Sequence, residues 1–172
     1  MQERKGIVTM KGQSLTLMGD EIKVGQAAPH FKVLANDLSE VDLSLYEGKT
    51  CVICSVPSLD TSVCDVEMRR FNKEAAAFGN DAAVLTISMD LPFAQMRWCG
   101  SAGIENVHTL SDHRDASFGK AFGVLIKELR LLARAVFIVD KSGIVQYVQI
   151  VNELTNEPDY KAVISAVKKM EG

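Results

Sequence analysis

The chain has 172 residues, of which 47% are hydrophobic and 24% charged, and a formal net charge of −3. This is ordinary globular usage for a single domain spanning 1–172, long enough to bury about two-thirds of its unfolded surface without disulfides. The mild negative charge gives no electrostatic reason to expect nucleic acid or an anionic membrane as partner.

Ile7 to Met10 and Leu15 to Met18 flank Lys11-Gly12-Gln13-Ser14, which predicts an N-terminal β-hairpin. Val24 to Pro29 is a connection. Phe31 to Leu34 and Val41 to Leu43 are short strand candidates around Asn36-Asp37. Thr50 to Val56 is β-rich and nearly continuous in apolar residues, as in a strand covered on both faces. Asp65 to Phe78 carries apolar residues at 68, 71, 75 and 78, a helical spacing that Gly79 ends. Ala82 to Met89 is a second buried strand. Leu91 to Trp98 predicts a helix with Pro92 in its first turn. Val107 to Leu110 is a short strand, and Ala116 to Phe122 a helix closed by Gly123. Arg134 to Val139 and Ile144 to Ile150 are strands joined by Asp140-Lys141-Ser142-Gly143. Asp159 to Met170 is an amphipathic last helix marked by Pro158. This order predicts an α/β fold with a mixed central sheet flanked by helices, in a thioredoxin-like arrangement with an N-terminal β-hairpin.

No apolar run approaches the ~20 residues of a membrane span. The first six residues hold no apolar targeting segment, so a cytoplasmic location is expected. Four cysteines are too few for a disulfide scaffold, and in a reducing compartment they are more often buried, metal-binding or catalytic.

Cys64 stands out among them. It ends the octet Pro57-Ser58-Leu59-Asp60-Thr61-Ser62-Val63-Cys64, between a strand and a helix. A cysteine at a helix start faces unpaired N–H groups and the positive end of the dipole, which favour thiolate, the reactive form. Thr61 offers a hydroxyl that can donate to sulfur or to a bound oxygen. Pro57 stiffens the approach.

Cys51 and Cys54 form a Cys-x-x-Cys, but they lie in a strand. Residues i and i+3 there point to opposite faces with Cα atoms ~10 Å apart, whereas a disulfide needs them within ~7 Å. Both are expected to be buried structural thiols. Zinc would need further ligands, and neither His108 nor His113 has a suitable spacing, so no metal or cofactor is expected. Cys99 follows the 91–98 helix, ahead of the Gly-rich Gly100-Ser101-Ala102-Gly103, expected to be flexible. Read on its own, it is either a partly buried helix-end residue or a second thiol placed to attack an oxidised Cys64. Glu67 and Arg70 are expected to be helix surface charges.

The octet resembles the peroxiredoxin pattern Pro-x-x-x-Thr-x-x-Cys, in the form found in the thiol peroxidase subfamily, the atypical two-cysteine peroxiredoxins. Val24-Gly25-Gln26-Ala27-Ala28-Pro29-His30-Phe31, Arg97-Trp98-Cys99-Gly100, Leu132 to Asp140 and Glu157-Pro158-Asp159-Tyr160 are similar to further segments of that family in the same order. The resemblance implies a thiol-specific peroxidase for hydrogen peroxide and organic hydroperoxides. Cys64 would be the peroxidatic cysteine and Cys99 the resolving one, joined in an intrasubunit Cys64–Cys99 disulfide that thioredoxin reduces. Thr61 would orient the peroxide, Pro57 would shield the pocket, and Arg134 would sit beside the sulfur. The resemblance also implies a homodimer. Two other functions compete: a thiol–disulfide oxidoreductase, which would want Cys51 and Cys54 at a helix start, and a redox sensor using the same two cysteines.

Overall fold

The structure is a computed structural model and describes residues 1–171. Strands β1 (Glu3–Met10) and β2 (Gln13–Met18) form the expected N-terminal hairpin. Two-residue strands β3 (Val33–Leu34) and β4 (Glu40–Val41) follow, then a 3₁₀ turn, Leu43–Tyr46, where the sequence suggests that the strand continues. Asp42 ends the strand there, because its carboxylate accepts the Ser44 N–H at 2.9 Å and caps the turn.

The centre is β5 (Thr50–Ser55), buried at every position. It leads into α1 (Ser62–Phe78), then β6 (Ala82–Ser88), α2 (Pro92–Ala102), β7 (Val107–Ser111) and α3 (Ser117–Ala121). Two short strands without a periodic signal of their own, β8 (Leu125–Ile126) and β9 (Leu131–Leu132), come next. The chain closes with β10 (Ala135–Val139), β11 (Val145–Ile150) and α4 (Tyr160–Glu171).

The main sheet has the order β11-β10-β5-β6-β7-β3-β4. β5, β6 and β7 are parallel, and β10 runs antiparallel to both β5 and β11. β1, β2, β8 and β9 form a second, smaller sheet. The fold is thus the mixed α/β arrangement with an N-terminal hairpin expected from the sequence.

Two apolar layers cover the main sheet. One contains Phe31, Phe118, Phe122 and Phe137 together with the hairpin's Val8, Leu15 and Leu17. Phe118 and Phe122 stack at 4.6 Å, and Phe137 meets Phe122 edge-on at 5.0 Å. The other layer gathers Met68 and Phe71 of α1 and Val163 and Val167 of α4 against Val52, Cys54, Val136 and Ile138. Cys51 belongs to the first layer and Cys54 to the second. The strand therefore points the two thiols to opposite faces, as its pleat requires.

Two helix boundaries differ from the sequence reading by three residues or more. α1 begins at Ser62, three residues earlier than the apolar spacing indicates, because Thr61 caps it. α2 runs through Cys99 to Ala102 and stops at Gly103, whose left-handed backbone (φ 67°, ψ 33°) accepts the turn. The stretch 100–102, read from its glycine as flexible, is helical.

The register of the central pair positions the site. Ala135 lies opposite Ser55, and Ser55 Oγ donates to the Ala133 carbonyl at 2.7 Å. Arg134 therefore enters the sheet where β5 leaves it. The hairpin, in turn, is held by a close backbone approach. A Cβ on Gly19 would lie 2.2 Å from the Lys120 carbonyl oxygen, and its φ is +104°. Gly19→Ala should destabilise by about 2 kcal/mol or more, lowering Tm by about 5 °C. Calorimetry showing an unchanged Tm would contradict this close packing.

Candidate active site

The site is built where β5 hands the chain to α1. Val56 and Pro57 leave the sheet buried, and Ser58, Leu59 and Asp60 make the turn. Thr61 takes an extended backbone (φ −117°, ψ 148°) as the α1 N-cap, and its Oγ1 accepts the Cys64 N–H at 3.3 Å. A side-chain oxygen is what an orphan first-turn N–H needs. Cys64 is thereby fixed as the third residue of the helix, with its side chain fully buried.

Arg134 arrives from the start of β10, 70 positions away in sequence, and its Nη1 lies 3.3 Å from Cys64 Sγ. Arg134 is 1% exposed, so every guanidinium N–H needs an acceptor. Nη1 also donates to Glu67 Oε2, while Nε and Nη2 donate to the Leu154 carbonyl at 3.3 and 3.0 Å. A buried cation is thus gripped on two sides and aims one N–H at sulfur.

Glu67 corrects the sequence reading. It is not a surface charge: it is 0% exposed, and its Oε2 makes an ion pair with Arg134. Burial pushes its carboxyl up to about 7, against the pull of Arg134. Its Oε1 has no hydrogen-bond partner. Burial lowers the Arg134 pKa, but the Glu67 carboxylate and the Cys64 sulfur outweigh it, and the net shift is upward. The sequence held a signal for Glu67. Cys64, Glu67, Met68 and Phe71 follow the i, i+3, i+4, i+7 spacing of one helix face, so a glutamate on that stripe had to be buried and needed a cation. Arg70, by contrast, does lie on the surface, paired with Glu74 at 3.1 Å and stacked 5.3 Å above the Tyr160 ring.

Thr61 is placed beside Cys64 but does not donate to the sulfur. Its hydroxyl donates to the Ser58 carbonyl at 3.1 Å while accepting from Cys64. It could donate to a bound oxygen only by releasing Ser58. Pro57 lies buried immediately before this turn.

Cys99 is half-buried in the last turn of α2, and its Sγ lies 3.4 Å from Thr109 Oγ1 on β7. Burial pushes its thiol pKa up, opposed by the Thr109 contact. It is held in a different element from Cys64, and all four cysteines are free thiols. Burial pushes Cys51 up to about 11 and raises Cys54 well above the ordinary thiol range. The Arg134 guanidinium donates to neither, its acceptors being Cys64, Glu67 and Leu154. His108 packs near Tyr46, 5.7 Å between ring centroids, away from the sulfur. Among the described residues, no group of three or more His, Cys, Asp and Glu side chains is placed to hold a metal ion. No helix among them is long and apolar enough to cross a membrane.

The geometry is that of a fully buried cysteine hydrogen-bonded to a buried guanidinium. Residues 23–164 match the redoxin family. The chain is 58% identical to a thiol peroxidase of Halalkalibacterium halodurans over 94% of its own length and 96% of the relative's. It is 57% identical to the thiol peroxidase of Bacillus subtilis over 95% and 97%. A solved peroxiredoxin-like protein from Aquifex aeolicus superposes with a TM-score of 0.90 at 44% identity, covering 99% of both chains. A thiol peroxidase from Chromobacterium violaceum shares the fold at a TM-score of 0.85 and 21% identity, covering 95% of this chain and 96% of that one. By the family match over 23–164 and these near-full-length identities, the chain belongs to the redoxin family and, within it, to the thiol peroxidase branch of the peroxiredoxins.

Proposed function

We propose that this peroxidase reduces hydrogen peroxide and organic hydroperoxides with Cys64 as the attacking group. The observation that carries the reading is the 3.3 Å contact between a fully buried Cys64 sulfur and the Arg134 guanidinium. The Cys64 thiolate attacks the terminal peroxide oxygen. An S–O bond forms, the O–O bond breaks, and cysteine sulfenic acid remains. The departing alkoxide or hydroxide takes a proton and leaves as alcohol or water. Arg134 stabilises negative charge on sulfur before the attack and on the departing oxygen during it. Thr61 orients the peroxide once its hydroxyl turns from Ser58, and Pro57 helps keep water out.

Cys99 completes the cycle in this proposal. Its thiol attacks the sulfenic sulfur, a Cys64–Cys99 disulfide forms within one subunit, and water leaves. Thioredoxin then reduces the disulfide by exchange with its own dithiol, and the chain works as a homodimer in the reducing cytoplasm. The free thiols of the structure correspond to the reduced starting state. Resolution interrupts oxidation at its reversible first rung, before sulfinic acid forms.

These assignments are testable with peroxide, thioredoxin, thioredoxin reductase and NADPH. Cys64→Ser is expected to abolish turnover. Cys99→Ser should permit one oxidation of Cys64 and stop there, with no two-hydrogen mass loss. Arg134→Met should slow peroxide reduction by about 10²–10³-fold, the usual cost of removing a donor aimed at developing charge. Normal turnover in Cys64→Ser would overturn the mechanism, and a disulfide mapped to Cys51–Cys54 would overturn the role of Cys99.

Glu67 gives a pH dependence of known sign. Its folded-state pKa of about 7 lies above the ordinary value of 4.5. The stability linked to it is therefore fully present below pH ~4.5 and is lost as pH rises through ~7. In Glu67→Gln this dependence disappears. Denaturant unfolding should show the wild type losing ground to Glu67→Gln between pH 5 and pH 8. The variant should also lose about tenfold in peroxide reduction, because Arg134 loses a charge-assisted bond. A stability gap that stays constant with pH would refute the buried ion pair as the titrating group.

A further inference from the structure

The active-site turn and α2 face each other across a cleft of about 740 Å³, with Ser58, Leu59 and Asp60 on one side and Phe93, Arg97 and Trp98 on the other. Asp90, at the β6–α2 junction, bridges them. Its Oδ1 accepts from Ser58 Oγ at 2.7 Å, and its Oδ2 accepts the Leu59 N–H at 2.8 Å and Ser88 Oγ at 2.7 Å.

The bonds continue on both sides of this carboxylate. Ser58 Oγ also accepts the Asp60 N–H at 3.1 Å. The Ser58 carbonyl holds Thr61 Oγ1, and Thr61 Oγ1 caps the Cys64 N–H. Ser88 Oγ accepts from Gln95 Nε2 at 2.9 Å, and the same nitrogen donates to the Leu110 carbonyl at 2.9 Å. Gln95 is buried and lies one helical turn ahead of Cys99 on α2. Hydrogen bonds therefore run without a gap from the backbone of one proposed redox cysteine to the helix of the other.

We infer that Asp90 is a positioning residue for the two-cysteine cycle: it clamps the 58–61 turn so that the first turn of α1 stays formed for peroxide attack, and its release limits how fast Cys64 meets Cys99. The inference rests on the disulfide chemistry proposed above. Cys64 is fully buried and held by the Thr61 cap, while Cys99 is held in a helix that ends only at Gly103. Forming an S–S bond requires local opening of at least one of these helix ends. The first turn of α1 cannot unwind while Thr61 caps it, and Thr61 is anchored on Ser58. Asp90 pins Ser58 and Leu59 with two bonds to a charged acceptor, the stronger class of hydrogen bond. The clamp stabilises the closed form alone, so weakening it raises the population of the opened form.

Asp90→Asn keeps the shape but replaces one acceptor oxygen with an amine. At least one of the three donors then faces another donor. The loss of a bond to a charged group corresponds to about a tenfold shift in the opening equilibrium. Trp98 is the only tryptophan of the chain and adjoins Cys99, so its fluorescence reports movement of α2. Stopped-flow fluorescence and quenched intact-mass analysis after one equivalent of hydrogen peroxide would follow wild type, Asp90→Asn, Ser58→Ala and the double variant.

We expect disulfide formation about tenfold faster in Asp90→Asn and faster, by a smaller factor, in Ser58→Ala. The double variant should be no faster than Asp90→Asn, because both act through one clamp. The peroxide step should slow, and sulfinic acid at high peroxide should fall by a factor similar to the gain in resolution. Additive acceleration in the double variant would mean general loosening and would overturn the clamp. So would an unchanged or slower disulfide step in both single variants with native circular dichroism. A wild type that forms no Cys64–Cys99 disulfide would instead sink the cycle itself, a result separate from a working cycle indifferent to Asp90.

Discussion

Everything at this site depends on burying the guanidinium of Arg134. A cation taken out of water costs several kcal/mol unless its neighbours replace the lost hydration. Here the replacement is a carboxylate, a backbone carbonyl and a sulfur. The sulfur is thus one of the groups that makes the buried arginine tolerable, and the arginine in turn fixes where the sulfur sits. Arginine suits this better than lysine, because its planar fork can meet separate acceptors at once and keeps its charge when desolvated.

The fold supplies these acceptors from distant parts of the chain. The pairing of Ala135 with Ser55 brings Arg134 to the exit of β5. The same exit feeds the Thr61-capped turn that carries Cys64 and, one helical turn on, Glu67. Leu154 comes from the segment after β11, and the Val151 N–H holds that segment to the Arg134 carbonyl at 2.9 Å. A shift of the β5–β10 register by one residue would turn Arg134 to the other face of the sheet. The chemistry is therefore as sensitive to strand pairing as to the cysteine itself.

The parts legible in the sequence were those with local signatures. Pro57, Thr61 and Cys64 sit within eight residues, although the sequence offered Thr61 as a donor and not as the N-cap that it is. The buried strands were legible because β5 and β6 are apolar along their length. Pleat geometry alone argued against pairing Cys51 with Cys54. What escaped depended on tertiary context. Glu67 reads as a helix charge until the apolar stripe around it is taken as a constraint on it. The end of α2 was misplaced because Gly100 resembles a stop signal, yet the left-handed position falls at Gly103. β8 and β9 are two residues each and have no period to detect; they exist because β2 is there to pair with β8.

Two carboxylates divide the work around Cys64. Glu67 is buried and fixed to the arginine, so its influence reaches the sulfur through a charge that cannot move far. Asp90 is half-buried and fixed to a turn, so its influence passes through bonds that exchange with water when the turn opens. A single strong anchor could not serve both tasks. In the proposed cycle, a cysteine locked for reaction with peroxide would be locked away from Cys99, and one free to reach Cys99 would lose its cap and its arginine. Separating the electrostatic anchor from the conformational one lets the first persist while the second opens. The rigid half of the site lies on the sheet register, and the half that yields lies on side-chain hydrogen bonds at the mouth of a cleft.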